Sequence, residues 1–268
     1  RFLIARRITQ ISIMVLYVIA NLFGINILMG NLSSSLVLNT IPLSDPYAVL
    51  QMFFAGAVIS FDILLGAFFI LIFYMILGGR AFCSWVCPVN MITDLANFLR
   101  RKFGFNQIQK KQPASRNIRY WVIAISLIIS FFMGIAAFEL VSPISMIHRG
   151  IIFGLGFGWA AMLVIFLFDL FVLKNGWCGH ICPLGGFYSL VGRFSLIRVH
   201  HNADNCTACM KCKEVCPENQ VLHMVTKTSM PVLSGECTNC GRCVEVCDDN
   251  ALNFSIKNLK KEKENEVR

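Results

Sequence analysis

The 268-residue sequence predicts an all-α transmembrane domain of four helices, arranged as two duplicated helix pairs, followed by a small α+β cytoplasmic domain that binds metal through cysteine. Three observations carry that expectation. Four apolar stretches, residues 8–29, 57–77, 120–138 and 153–173, approach or exceed the roughly 20 residues needed to cross a hydrocarbon core. Basic residues gather in the loops on one side of those stretches. Eight of the twelve cysteines fall within residues 206–247 as two copies of one spacing. A mean hydropathy of +0.64 and a hydrophobic fraction of 56% exclude an ordinary soluble protein. Nothing resembles a nucleic-acid motif, so the net charge of +9 is expected to report membrane topology and no nucleic-acid partner.

Taken in order, the chain begins at Arg1 without a methionine, and further sequence is expected ahead of it. Arg1, Arg6 and Arg7 precede the first span, and residues 31–54 contain no Lys or Arg. The loop after the second span carries Arg80, Arg100, Arg101, Lys102, Lys110, Lys111, Arg116 and Arg119. With Lys174 and Arg193 after the fourth span, thirteen of the fourteen basic residues in the first 197 fall on one side, and Arg149 alone on the other. That side is expected to be the cytoplasm, with both termini there, in a multi-pass protein of the bacterial inner membrane. Residues 31–54 are expected as a loop along the outer leaflet. Domains are expected at 1–197 and 198–256, with a solvated charged tail at 257–268. His200 and His201 read as exposed linker residues.

The membrane half also reads as a repeat. Asp45-Pro46 leads to Cys83-Ser-Trp-Val-Cys87-Pro88, and Ser142-Pro143 leads to Cys178-Gly-His-Ile-Cys182-Pro183. Two repeats packed about a pseudo-twofold would bring Cys83, Cys87, Cys178 and Cys182 together. An i, i+4 spacing sets each pair on one helical face, and the proline marks the break where the span ends. The quartet is expected either to bind a metal or a further iron–sulfur cluster, or to cycle as redox thiols. Inert packing is the weakest reading. Arg80 would help to hold negative charge there. Asp169 reads as an interface residue beside Lys174.

The second half is more specific. Cys206, Cys209, Cys212 and Cys216, then Cys237, Cys240, Cys243 and Cys247, each read C-x2-C-x2-C-x3-C, the run that binds two 4Fe–4S clusters in bacterial ferredoxins. The fourth cysteine of each run serves the other cluster. One cluster is therefore assigned to Cys206, Cys209, Cys212 and Cys247, and the other to Cys237, Cys240, Cys243 and Cys216. Zinc would need only four ligands, and disulfides would need an oxidising compartment.

An apolar chain carrying iron–sulfur centres suggests electron exchange with a lipid-soluble carrier, and quinol (menaquinol or ubiquinol) is the natural donor. Quinol must lose two protons as well as two electrons, which calls for a proton acceptor. Intramembrane acids are costly unless functional, so Asp62 and Glu139, with Asp45 and His148 in the outer connections, are the candidate quinol-site residues. Snorkelling of Asp62 and Glu139 to the headgroups is the competing reading. Metal reduction by the thiols and a purely structural anchor are the other classes considered.

The stretches Asn31-Leu-Ser-Ser-Ser35, Ile41-Pro-Leu-Ser-Asp45-Pro46, residues 82–88, Ile92-Thr-Asp-Leu-Ala-Asn97 and Gly176-Trp-Cys-Gly-His-Ile-Cys-Pro183 resemble the NapH family. Its members are membrane-bound, ferredoxin-type subunits of the periplasmic nitrate reductase system. The resemblance covers nearly the whole chain. It implies a quinol dehydrogenase component that works with a periplasmic polyferredoxin (NapG-like) to send electrons toward nitrate reductase. The copper-reducing CcoG, the maturation protein NosR and the methylamine-utilisation protein MauN look like relatives with the same membrane core.

Overall fold

The computed structural model describes residues 1–24, 28–37, 40–104, 117–153, 156 and 158–256. The tail expected at 257–268 lies outside them. Helix α1 spans Phe2–Phe23 and ends at Gly24, whose φ of 66° stops the helix in the left-handed region. Strands β1 (Leu28–Gly30), β2 (Ser34–Val37) and β3 (Ile41–Ser44) then form an antiparallel sheet in the order β1-β2-β3. The β1–β2 turn is tied by Asn31, whose Oδ1 accepts from the amides of Ser33 and Ser34 at 2.9 and 2.8 Å. Pro42 is tolerated because β3 is an edge strand.

Asp45 caps α2 (Pro46–Phe54), with Pro46 at the first helical position, where a missing amide costs nothing. There follow α3 (Phe61–Leu77), α4 (Ala81–Trp85) and α5 (Val89–Lys102). The basic end of α5, Arg100 to Lys102, complements its helix dipole. Next come α6 (Ile118–Met133), α7 (Ala137–Val141), α8 (Pro143–Phe153) and α9 (Gly158–Leu167). Two wide-turn segments, Phe168–Val172 and Trp177–Ile181, lead into α10 (Pro183–Val191).

The cysteine-rich half is a second antiparallel sheet, β5-β4-β6, made of β4 (Ile197–His201), β5 (Met230–Pro231) and β6 (Leu252–Ile256). Two short helices, α11 (Lys211–Val215) and α12 (Arg242–Glu245), pack on it over a core of Val199, Val221, Leu222, Met224, Val232 and Leu252.

The expected all-α, four-span domain is not what forms. Among the described helices, α1 alone is long and apolar enough to cross a membrane. Residues 57–59 belong to no helix, and Ser60 opens α3, which has 17 residues. Gly134, at φ 66°, ends α6 after 16 residues, and α9 starts only at Gly158. Residues 31–54 are not a loop either: they hold β2, β3 and α2, so this half is mixed helix and sheet. His201 is no exposed linker residue. It is fully buried in β4, with Nδ1 2.8 Å from the Thr228 carbonyl.

Candidate metal centres and the network between them

Each C-x3-C-P segment fills a break between two helices. Cys83 lies in α4, Cys87 just beyond it, and Val89 opens α5. Cys178 lies in the second wide turn, Cys182 ends it, and Pro183 opens α10. The four thiols line one cavity with Phe82, Phe138 and Trp177. Burial pushes the Cys182 thiol up to about 12, and proximity to Cys83 adds to it. Burial also raises Cys87 and Cys178 strongly, and each is further raised by neighbouring thiols of the quartet. Four such thiols ionise together only against a bound cation. A 4Fe–4S cubane binds each thiolate to a different iron, and the four cysteines on this one cavity supply that number of ligands.

The ferredoxin-like runs share an unusual backbone. Ala208 and Met210 in the first, and Asn239 and Gly241 in the second, have φ of 59°, 60°, 46° and 73°. They occupy equivalent positions between cysteines. Left-handed residues at such positions turn successive amides inward, forming an anion-binding nest of the kind that holds iron–sulfur clusters. Strain at Ala208 and Met210, which are not glycine, is of the sort that persists at functional sites. Cys212 lies among Cys206, Cys209 and Cys247, while Cys216 lies with Cys237 and Cys240. The fourth cysteine of each run thus stands with the other run. Burial raises Cys237 to about 11.

Buried arginines join the two halves. Arg80 Nη1 donates to Glu218 Oε1 at 2.7 Å and to the Glu236 carbonyl at 3.0 Å, while Nη2 donates to the Cys178 carbonyl at 2.9 Å. Arg119 pairs with Glu236. Ser84 donates to the Thr238 carbonyl at 2.7 Å, and Trp85 Nε1 to that of Asn239 at 3.1 Å. The cluster set Cys216, Cys237, Cys240 and Cys243 therefore faces the quartet. The other set faces outward, with Cys209 exposed. Asp169 is fully buried, not interfacial; its Oδ1 accepts from the Trp177 amide at 3.0 Å and so anchors the second cysteine turn. Lys174 reaches instead toward the carbonyls of Glu214 and Cys216.

Of the candidate quinol residues, Asp45 and Glu139 stand near each other. Asp45 Oδ1 accepts from Tyr188 Oη at 3.1 Å. Glu139 accepts from Ser33 and Ser145 at 2.7 and 2.5 Å and lies close enough to Asp45 to raise its pKa further. Burial is the main cause of that rise, which takes Asp45 to about 7. His148 is buried, edge-on to Tyr17 at 5.0 Å, with no hydrogen-bond partner on Nε2. Asp62 is exposed on the first turn of α3. Tyr188 was not singled out from the sequence. It stacks on Phe82 at 5.2 Å, next to Cys83, and so links Asp45 to the quartet. Beside them lies an open apolar groove of about 610 Å³ between α2 and α3, lined by Pro46, Leu50, Phe53, Leu64, Phe68 and Phe187 among others.

These features define a ferredoxin-type iron–sulfur electron-transfer protein. A family described as "4Fe-4S binding domain" matches residues 52–106 and again 155–200, once over each C-x3-C-P segment, and a "4Fe-4S dicluster domain" matches 198–248. The chain is 44% identical to the methylamine utilization ferredoxin-type protein MauN of Methylorubrum extorquens, over 86% of this chain and 80% of that protein. It is 45% identical to the ferredoxin-type protein NapH of Haemophilus influenzae and 42% identical to NapH of Escherichia coli, each over 83% of this chain and 77% of the relative. The chain belongs to the family of ferredoxin-type proteins that includes NapH and MauN. No solved structure matches it.

Proposed function

We propose that this protein oxidises quinol at the membrane and passes the electrons through the cysteine quartet to two ferredoxin-like clusters. The observation that carries the reading is the Asp45–Tyr188 hydrogen bond, set between an apolar groove and the quartet. The groove has the size and lining of a small-ligand site, suited to a quinol ring and its tail. Quinol gives up two protons and two electrons in becoming quinone. Asp45, near pKa 7, accepts a proton there at working pH, and Tyr188 holds the carboxylate in place. Cys83, Cys87, Cys178 and Cys182 would hold one cluster. Cys216, Cys237, Cys240 and Cys243 would hold a second, and Cys206, Cys209, Cys212 and Cys247 a third. Such clusters store and pass single electrons when bound.

Helix α1 anchors the chain in lipid, and Arg1, Arg6 and Arg7 at its start favour the cytoplasm for that end and for the cluster-bearing half packed against it. The NapH relatives favour a polyferredoxin and the periplasmic nitrate reductase chain as acceptors. Equal identity to MauN favours a second reading, electron transfer in methylamine utilisation.

Anaerobic addition of menaquinol or ubiquinol to the purified protein in detergent tests the reading. Bleaching of the iron–sulfur absorbance is expected with quinol. Bleaching by dithionite but by no quinol would eliminate quinol oxidation. Iron analysis should give about twelve atoms per chain for three 4Fe–4S clusters, falling to about eight when Cys83, Cys87, Cys178 and Cys182 are all changed to Ser. About eight in both proteins would leave the quartet a thiol relay.

A further inference from the structure

The cysteine set that faces the quartet is surrounded by positive charge, and the outward-facing set is not. Arg6, on the first turns of α1, is fully buried, and among the described residues none of its three guanidinium nitrogens has a hydrogen-bond partner. Its nearest carboxylate, Asp94, stands 3.8 Å away and is shared with Arg7 and Arg242. A buried guanidinium without hydrogen bonds is costly unless another negative group faces it. Arg242 lines one small cavity with Cys216, Cys237, Cys240 and Cys243, and the charge of Arg6 reaches Cys240. Lys174 acts on Cys216, and Arg80 and Arg198 act on Cys237. Against these cations stand Asp94, Glu218 and Glu236.

Around the outer set the balance reverses. The neighbours of Cys212 there are thiols. Lys211 is neutralised by Asp248 at 2.9 Å, and Asp249 sits on Thr207 at 2.5 Å.

We propose that Arg6 and Arg242 hold the potential of the inner cluster (Cys216, Cys237, Cys240 and Cys243) above that of the outer one (Cys206, Cys209, Cys212 and Cys247), so that the inner cluster is reduced first. The proposal rests on the two-cluster reading of residues 206–247. Reduction adds one negative charge to a cluster, and nearby cations stabilise the reduced form. Exposure of Cys209 works the other way, because water also stabilises the added charge. Buried cations win: at an effective dielectric near 20 a charge acts about four times as strongly as in water. Electrons leaving the quartet are then collected at the inner cluster, next to the Arg80 bridge.

A potentiometric titration of the purified full chain, followed by EPR, tests this, with Cys209→Ser marking the outer signal. The inner signal is expected to appear first. Arg6→Gln and Arg242→Gln should each shift it to lower potential while the outer signal stays in place, and Arg6→Lys should restore it. Asp94→Asn, which removes negative charge from the same site, should shift it upward, a readout that does not depend on the arginine variants folding. An outer signal that appears first overturns the proposal, as does an inner midpoint unmoved in both Arg6→Gln and Asp94→Asn with iron retained. Iron content short of two clusters in wild type overturns the two-cluster reading and this proposal with it.

Discussion

Arg80 and Glu218 are 1% and 2% exposed and pair at 2.7 Å across the junction. Removing one side of a buried pair leaves an uncompensated charge and costs about 3–5 kcal/mol. Arg80→Ala should therefore lower the unfolding midpoint sharply and release iron. Arg80→Lys should restore little, because an ammonium cannot span Glu218, the Glu236 carbonyl and the Cys178 carbonyl as a planar fork does. Full stability of Arg80→Lys by thermal unfolding would show that charge alone is enough. Asp45 supplies the pH dependence. With its pKa raised to about 7, the carboxyl is protonated below that pH and cannot act as a base. Quinol oxidation should thus rise as pH climbs through about 7. Asp45→Asn should lose that limb and on the order of 10²-fold in rate. An unchanged profile in Asp45→Asn would remove Asp45 from the site.

At the scale of elements, the halves meet where glycine backbones touch. A Cβ on Gly235 would lie 2.1 Å from the Ser189 carbonyl and 2.7 Å from the Arg193 amide, and one on Gly79 would lie 2.0 Å from the Tyr188 carbonyl. Both clashes are with backbone, so no side chain can swing aside. The end of α10 is thus clasped between the start of α4 and the loop before Cys237. Gly235→Ala should pry this junction apart, expose the Arg119–Glu236 pair to water, and speed proteolysis between residues 192 and 197. Normal protease resistance and iron content in Gly235→Ala would show that the clasp is slack.

For the whole molecule, α1 is the element that ties everything together. Its first turn is held by the cluster-bearing half, where Phe2 packs on Phe254 at 5.6 Å. Its last turn reaches the first sheet, where Asn21 Nδ2 donates to the Gly30 carbonyl at 3.1 Å. Twenty-two residues rising about 1.5 Å each give ~33 Å, close to the thickness of a hydrocarbon core. Its outward side exposes Ile4, Ile8, Ile11 and Val15. Ile11→Lys with Val15→Lys should cost about 2.5–3.5 kcal/mol of insertion per charge and move the protein out of the membrane fraction in a flotation gradient. A double variant that still floats would place the anchoring surface elsewhere.

The cysteines, their spacing and the prolines after Cys87 and Cys182 were legible in the sequence, because ligand identity and helix breaks are local chemistry. The apolar stretches were legible as apolar, but not as spans. Where a helix stops depends on single backbone conformations, such as φ of 66° at Gly24 and at Gly134, and the sheet of residues 28–44 depends on pairing partners that no short window contains. The basic residues show the same divide. Counted along the chain, they report an excess on one side. Folded, Arg6, Arg80, Arg100 and Arg119 are buried, and their charge is spent inside the protein on carbonyls, carboxylates and thiols from distant segments. Sequence determined which groups are candidates to ligate and where the chain must break. Tertiary structure alone decided which charges face them, because a buried guanidinium finds its partner through space and not along the chain.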